Sequence, residues 1–387
     1  MAGYIFNLDS EESLVLYTSC GVYATVLNVS ENINHWNTAH LGTLADYITM
    51  KPGDNVYFFI KRKIYGIGQL VSIDTEKISD CKFNNFPEAS KPKYYSYKEV
   101  KDKLLWNEGD YSNSQRWICC FVPSPAFFRT GVDMDEVLAS DTRAFKMLRA
   151  FWKVSFIKID DEENEALKGV ILRKNLRSNK IFEWTDDYHK KIKALLKPDY
   201  KINIKDALLP SIDTFRMKFK HEAALELYLV YALSENQCNA IAVFGNWDYI
   251  SRQVIASPFK PIDYMDRMDI FGYHFFENHR TVKDSFLVME VKKDSASIDD
   301  VEQLMKYVDW VKNEYAYGDY SLIKAYLVAH NFPSEVIQKH KEIGKRIYTI
   351  GSRPPKTLVW NNLTLVRYHL SLTSNQDVCV KFSKVVK

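Results

Sequence analysis

The chain has 387 residues, 46% hydrophobic and 26% charged, with a net charge of +3; that supplies apolar material for two or three domains and excludes both a chain disordered over most of its length and a protein that is polycationic as a whole. No apolar run approaches the roughly 18 residues of a membrane span, and Met1-Ala-Gly-Tyr-Ile-Phe-Asn-Leu-Asp9 lacks the basic-then-apolar pattern of an export signal, so a cytoplasmic location with no membrane partner is expected. Six cysteines, at 20, 81, 119, 120, 238 and 379, show no Cys-x-x-Cys spacing and are expected as buried thiols rather than zinc ligands or disulfides.

The first 165 residues read as β-rich. Ser13-Leu-Val-Leu-Tyr17, Gly21-Val-Tyr-Ala-Thr-Val-Leu-Asn28, Asn55-Val-Tyr-Phe-Phe-Ile60 and Ile64-Tyr-Gly-Ile-Gly-Gln-Leu-Val-Ser-Ile73 are short, aromatic and β-branched. Pro52-Gly-Asp54 is a turn signal and Lys61-Arg-Lys63 a hairpin tip. A later strand fits Arg116-Trp-Ile-Cys-Cys-Phe-Val122, ended by Pro123-Ser-Pro125. The pair Gly66-Ile-Gly68 opens no helix and has no following Lys-Ser/Thr, so nucleotide hydrolysis has no support.

The phrase Gly53-Asp-Asn-Val-Tyr-Phe-Phe59 followed by Ile64-Tyr-Gly-Ile-Gly-Gln-Leu-Val71 is similar to the hairpin of EVE, ASCH and YTH-type domains, the PUA-like barrels. The resemblance implies a small closed barrel over residues 1–165 that binds RNA, or a modified or flipped base held between aromatic side chains. Trp36, Trp106 and Trp117 are the aromatic candidates, with Asn37 and Asp54 as partners for a base edge.

Asp133-Met-Asp-Glu-Val-Leu138 and Phe145-Lys-Met-Leu-Arg-Ala-Phe-Trp152 have helical apolar spacing, and Val154-Ser-Phe-Ile-Lys-Ile159 reads as a strand that runs into the acidic stretch Asp160–Glu165. Over 166–209 the composition turns basic. This stretch is expected as a connector whose cations grip DNA backbone phosphates, with Lys190, Lys191 and Lys193, and Arg216 just beyond, as candidates.

Residues 210–387 read as an α/β region, α+β over the whole chain. A helix over 221–235 carries Leu225, Leu229 and Leu233 on one stripe, with Glu222 and Glu226 one turn apart. Ala240-Ile-Ala-Val-Phe244 and Gln253-Val-Ile-Ala256 are strand-like. So is Met268-Asp-Ile-Phe271, joined through the turn-like Glu277-Asn-His-Arg280 to Phe286-Leu-Val-Met-Glu-Val-Lys-Lys293. In a strand, Glu290 and Lys292 point to one face, and Asp269 on the neighbouring strand brings a second acid. Such a set suits a Mg²⁺-dependent phosphodiesterase: hard oxygen ligands, and a lysine to hold the attacking water and neutralise developing charge. An apolar strand at 323–329 fits a central mixed sheet flanked by helices, and the β material at 357–360, 363–370 and 378–382 either completes that sheet or forms an accessory piece.

An Asp, a gap and then Glu-x-Lys on an apolar strand looks like the PD-(D/E)xK nuclease superfamily. Leu225-Glu-Leu-Tyr-Leu229 resembles the opening helix of its RecB/NucS-like branch, and Gln303-Leu-Met-Lys-Tyr307 the helix after the Glu-x-Lys strand. No proline precedes Asp269, which leaves Asp266 as a second choice for that acid. The resemblance implies a DNA endonuclease in which Asp269, Glu290 and Glu226 hold Mg²⁺ or Mn²⁺, Lys292 positions the nucleophilic water, and Gln303 orients that water or contacts DNA. A base reader joined to such a nuclease implies double-stranded DNA with modified bases as substrate, as in restriction or phage defence. Two cuts imply two sites, hence a homodimer. The alternatives are a NucS-like repair nuclease acting on mismatched or branched DNA, and a non-catalytic nucleic-acid-binding protein.

Overall fold

A computed structural model describes residues 1–26, 37–73, 80–87, 97–108, 115–146, 148, 155–178, 180–256, 265–373 and 378–385. The chain divides into two compact units, Met1–Pro210 and Ser211–Lys387.

In chain order the first unit holds β1 (Gly3–Asn7), α1 (Glu11–Cys20), β2 (Val22–Val26), α2 (Thr38–Tyr47), β3 (Asn55–Ile60), β4 (Lys63–Leu70), β5 (Lys82–Phe83), α3 (Tyr97–Val100), β6 (Gln115–Asp133), α4 (Met134–Ser140), β7 (Phe156–Ile159), α5 (Asp161–Asn175), α6 (Asp187–Leu195) and α7 (Ile204–Leu208). Its sheet runs β2-β6-β4-β3-β1-β7, with β5 on β6. Among the described residues β2 and β7 do not pair, so the sheet is an open half-barrel rather than the closed barrel expected.

The hairpin of β3 and β4 forms as the sequence predicts. Lys61 and Arg62 at its tip both have positive φ, 48° and 64°, the conformation a two-residue hairpin turn demands. At Gly68 a Cβ would stand 2.6 Å from Val56 Cγ2, so the absent side chain lets the two strands curve together.

Three expectations change here. Residues 13–17 lie in α1, not a strand: Ser10 caps the helix by accepting from Ser13 N, and Gly21 ends it at φ 65°, so capping outweighs the β-prone composition. The prolines at 123 and 125 do not end the strand, since β6 continues to Asp133, with the β4 register shifting between Gly66 and Gly68. The stretch read as a basic connector belongs to the first unit: Leu167, Val170 and Ile171 of α5 are buried in one core with Ile5, Tyr57, Ile64 and Ile67. Each such side chain contributes about 1.5–3 kcal/mol. The helix expected at 145–152 lies largely outside the described residues.

The second unit holds β8 (Ile212–Asp213), β9 (Lys218–Phe219), α8 (Glu222–Ser234), α9 (Cys238–Phe244), β10 (Tyr249–Ile255), β11 (Arg267–Phe276), β12 (His279–Ser295), α10 (Ile298–Glu314), β13 (Ile323–Asn331), α11 (Ser334–Ile343), β14 (Arg346–Ile350), β15 (Lys356–Trp360), β16 (Leu363–Leu372) and β17 (Val378–Lys384). Among the described residues β10-β11-β12-β13-β16-β17 form one mixed sheet, while β14 pairs with β15 and β8 with β9.

β12 is central, antiparallel to β11 and parallel to β13. Phe286, Leu287, Val288, Met289 and Val291 are wholly buried, as a strand covered on both faces requires. The parallel partner demands a crossover, which α10 supplies; its start is fixed by a capping box between Ser297 and Asp300. α8 is buried nearly all round rather than on one stripe, the mark of an interior helix. Residues 240–244 form α9, not a strand, and the helix closes at Gly245, φ 83°; a short apolar run does not by itself distinguish the two.

Of the cysteines, Cys20, Cys81, Cys119 and Cys120 are buried as expected, but Cys238 is exposed and Cys379 half-buried. Among the described residues no helix is long and apolar enough to cross a membrane.

Candidate active site

The strands β11 and β12 pair as far as Ile270 and Met289 and then part. Beyond that point β11 continues on β10, Met268 opposite Val254 and Arg267 opposite Ile255. β12 continues on β13, Glu290 opposite Leu327 and Lys292 opposite Ala329. Asp269 stands on one branch of this fork, Glu290 and Lys292 on the other. The Asp269 carboxylate spans the opening, its Oδ2 accepting from Val291 N at 2.8 Å.

Lys292 Nζ donates to Glu290 Oε1 at 2.8 Å and lies 3.5 Å from Asp300 Oδ1. Glu290 is 2% exposed, and its Oε2 has no hydrogen-bond partner among the described residues. Glu226 projects from α8 at 6% exposure, with its Oε2 3.3 Å from both Arg252 Nε and Gln253 Nε2. Gln253 Nε2 also reaches Asp269 Oδ1 at 3.0 Å. Gln303, on α10, donates to the Tyr307 hydroxyl.

The electrostatics follow from crowding acids in a site of low water content. Burial, then the charges of Glu290 and Glu226, push Asp269 well above the carboxylate range. Burial raises Glu290 to about 7 against the opposing pull of Lys292, with Asp300 and Glu222 adding to the rise. Burial disfavours the Lys292 cation, but Glu290, Asp300 and Asp269 outweigh it and hold the lysine protonated.

Asp269, Glu290, Lys292 and Glu226 therefore fall in one region, and Gln303 joins it through Tyr307, which lies near enough to Glu290 and Asp269 to feel their charges. Among the described residues no three acids, histidines or cysteines stand close enough in this arrangement to hold a metal ion. The donor set nevertheless suits a hard divalent cation: carboxylate oxygens only, one of them buried and unspent. Asp266 lies just before β11, its carbonyl accepting from Ala256 N at 2.9 Å.

Sequence reasoning missed Arg252, Gln253 and Asp300. Asp300 was legible as the last residue of a Ser-x-x-Asp capping pattern. Gln253 has φ 52° within a strand, a strained conformation that concentrates at functional sites and leaves no trace in sequence.

The candidates in the first unit lie elsewhere. Trp106 and Trp117 are 1% and 0% exposed and serve as core; Trp117 packs on Tyr47 with centroids 6.1 Å apart. Asn37 caps α2 by accepting from His40 N at 2.8 Å. Asp54 is buried and accepts from Ala2 N and Lys51 N, both at 3.1 Å. Trp36 lies outside the described residues. Lys190, Lys191 and Lys193 are exposed on α6, Lys190 pairing with Asp186 at 2.6 Å. Arg216, in the second unit, is exposed on the turn between β8 and β9.

No family model matches the chain, and no curated protein does. Among solved structures, a repair endonuclease from Pyrococcus abyssi is similar over 26% of this chain and 35% of its own, at 24% identity and a TM-score of 0.17. A protein from Agrobacterium tumefaciens is similar over 44% of this chain and 92% of its own, at 14% identity and a TM-score of 0.24. The chain thus spans about a third of the endonuclease's length. With likenesses this slight, the chemistry is carried by the side chains at the fork.

Proposed function

We propose that residues 211–387 form a metal-dependent DNA endonuclease that hydrolyses phosphodiester bonds. One observation carries this reading: Asp269, Glu290 and Lys292 meet where β11 and β12 part, with Glu290 Oε2 buried and, among the described residues, unpartnered. An isolated buried carboxylate costs several kcal/mol unless something compensates it. Asp269 and Glu290 would hold Mg²⁺ or Mn²⁺, with Glu226 completing the set directly or through water. Bound there, the cation would act as a Lewis acid on the phosphate and lower the pKa of a water. Lys292, kept cationic by its acidic neighbours, positions that water and offsets charge on the phosphate. Gln303 orients the water or the DNA.

The first unit is proposed to direct cutting to modified bases, as in modification-dependent restriction. Its support is a cavity of about 460 Å³ lined by Asn7, Asp9, Ser13, Tyr17, Tyr23 and Thr25 among others, large enough for a base and lined largely by polar groups, the rings of Tyr17 and Tyr23 being nearly buried. These residues take the place of the buried Trp106 and Trp117. Cutting both strands calls for two active sites, so the working form is proposed to be a homodimer in the cytoplasm.

The test is cleavage of matched duplexes that differ only in cytosine or adenine modification, with Mg²⁺ or Mn²⁺, by wild type and by the Asp269→Ala and Lys292→Ala variants. Cutting of one modified duplex by wild type alone is expected. Equal cutting by the variants overturns the site, and metal-dependent cutting indifferent to modification overturns the reader.

A further inference from the structure

The turn between β8 and β9 carries Phe215, 94% exposed, with Arg216 exposed beside it. The turn is held in shape. Asp213 Oδ1 accepts from Phe215 N at 3.1 Å and Arg216 N at 3.0 Å, and Met217 takes φ 50°. A phenylalanine so exposed on a fixed turn buries nothing within its own unit, and its aromatic face is offered to a partner.

The turn is tied to the end of β12, where Lys218 Nζ donates to Asp294 and Lys293 Nζ lies 2.7 Å from the other oxygen of the same carboxylate. Both lysines hold Asp294 ionised, at about 2. Further along come His330, near the end of β13, and, within β16, Arg367, in register with Ala329 of β13, and His369. Among the described residues Arg367 Nε and His330 Nδ1 are buried without hydrogen-bond partners, and Arg367 reaches Asn331 Oδ1 at only 3.5 Å. Lys218 and Lys293 thus share one carboxylate, Asp294, which leaves a net positive charge there, and Arg367 adds a third cation whose Nε is unpartnered among the described residues. The edge begins one residue beyond Lys292.

We propose that this edge is where duplex DNA lies as it enters the active site, with Phe215 stacking on a base or wedging at a base step and Lys218, Lys293 and Arg367 gripping backbone phosphates. The inference rests on the nuclease reading for the identity of the ligand. Exposed aromatics set among cations are the general solution for bases and phosphates together, and three phosphate contacts set a definite salt dependence.

The experiment uses the full chain without divalent metal, so that no cutting occurs, and follows anisotropy of a fluorescent duplex of about one helical turn or more against NaCl. A single 2-aminopurine in the duplex reports stacking. Phe215→Ala is expected to weaken binding roughly 5- to 100-fold, to abolish the change in 2-aminopurine fluorescence and to leave the salt slope unchanged. Lys218→Ala combined with Arg367→Ala is expected to flatten the slope by about 1.8, and Arg367→Lys to restore its share. Lys356→Ala, an exposed lysine on β15, serves as the control. Wild-type affinity and slope in the Phe215 and double variants overturn the proposal. With Mg²⁺ then added to the same proteins and duplex, binding that depends on this edge without any cutting overturns the nuclease reading alone; cutting that is indifferent to these substitutions overturns the edge alone.

Discussion

Glu290 and Lys292 share one face of β12, Nζ standing 2.8 Å from Oε1, while Oε2 of the same carboxylate is buried with no hydrogen-bond partner among the described residues. The lysine therefore satisfies half of the acid. The remaining half is an open acceptor at a fork between strands, beside a second acid, Asp269.

Lys292→Ala and Asp269→Asn should each lower kcat on the order of 10²–10³-fold or more, the usual cost of one preorganised charge in a dry site. DNA affinity should stay close to wild type. Single-turnover cleavage beside anisotropy measures both, and rates within a few-fold of wild type would sink the assignment.

Metal binding should grow with pH. Burial raises Glu290 from its ordinary 4.5 to about 7, so between these values the folded protein binds a proton that the unfolded chain has released. The resulting stability is present in full below about 4.5 and lost as pH rises through 7. Deprotonation is also what metal binding requires. The Mg²⁺-induced rise in Tm should accordingly be larger at pH 8 than at pH 5.5. Glu290→Gln should raise the Tm of the metal-free protein at pH 8, leave it nearly unchanged at pH 5, and abolish the response to Mg²⁺. A metal response independent of pH would contradict this account.

Gln253 bridges Glu226 and Asp269 from a backbone at φ 52°. Gln253→Ala keeps the strained backbone and loses both hydrogen bonds, a cost of about 1–3 kcal/mol. Gln253→Gly loses the bonds but relieves about 1–2 kcal/mol of left-handed strain. The glycine variant should melt a few degrees above the alanine variant, opposite to the order expected in an ordinary strand. Both should cut DNA more slowly. Melting curves in the reverse order would show that the strain is absent.

Trp117 and Trp106 are core rather than cage. Replacing either with alanine should cost about 3–5 kcal/mol, seen as loss or early melting of the first unit in a thermal scan. Normal stability with lost binding of modified DNA would return them to the reader pocket.

Much of the site was legible in one dimension. Alternation along a strand is enough to put Glu290 and Lys292 on one face, and a carboxylate within an apolar helix, Glu226, or within an apolar strand, Asp269, already signals something that offsets its burial. The β3–β4 hairpin and the central apolar strand were equally plain, because turn conformation and burial leave local marks. Residues 13–17 and 240–244 misled because short apolar runs carry no period, and only their caps, Ser10 with Gly21 and Gly245, distinguish helix from strand.

The sequence by itself determined the chemical set, two acids and a lysine on neighbouring strands, because side-chain direction in a strand follows from covalent geometry. Tertiary structure alone decided that β11 and β12 part at that set, that Gln253 and Arg252 from β10 hold the third acid, and that Trp106 and Trp117 are sealed inside. Those outcomes depend on which strands pair and where pairing stops, a balance of long-range packing and hydrogen bonding that no local pattern encodes.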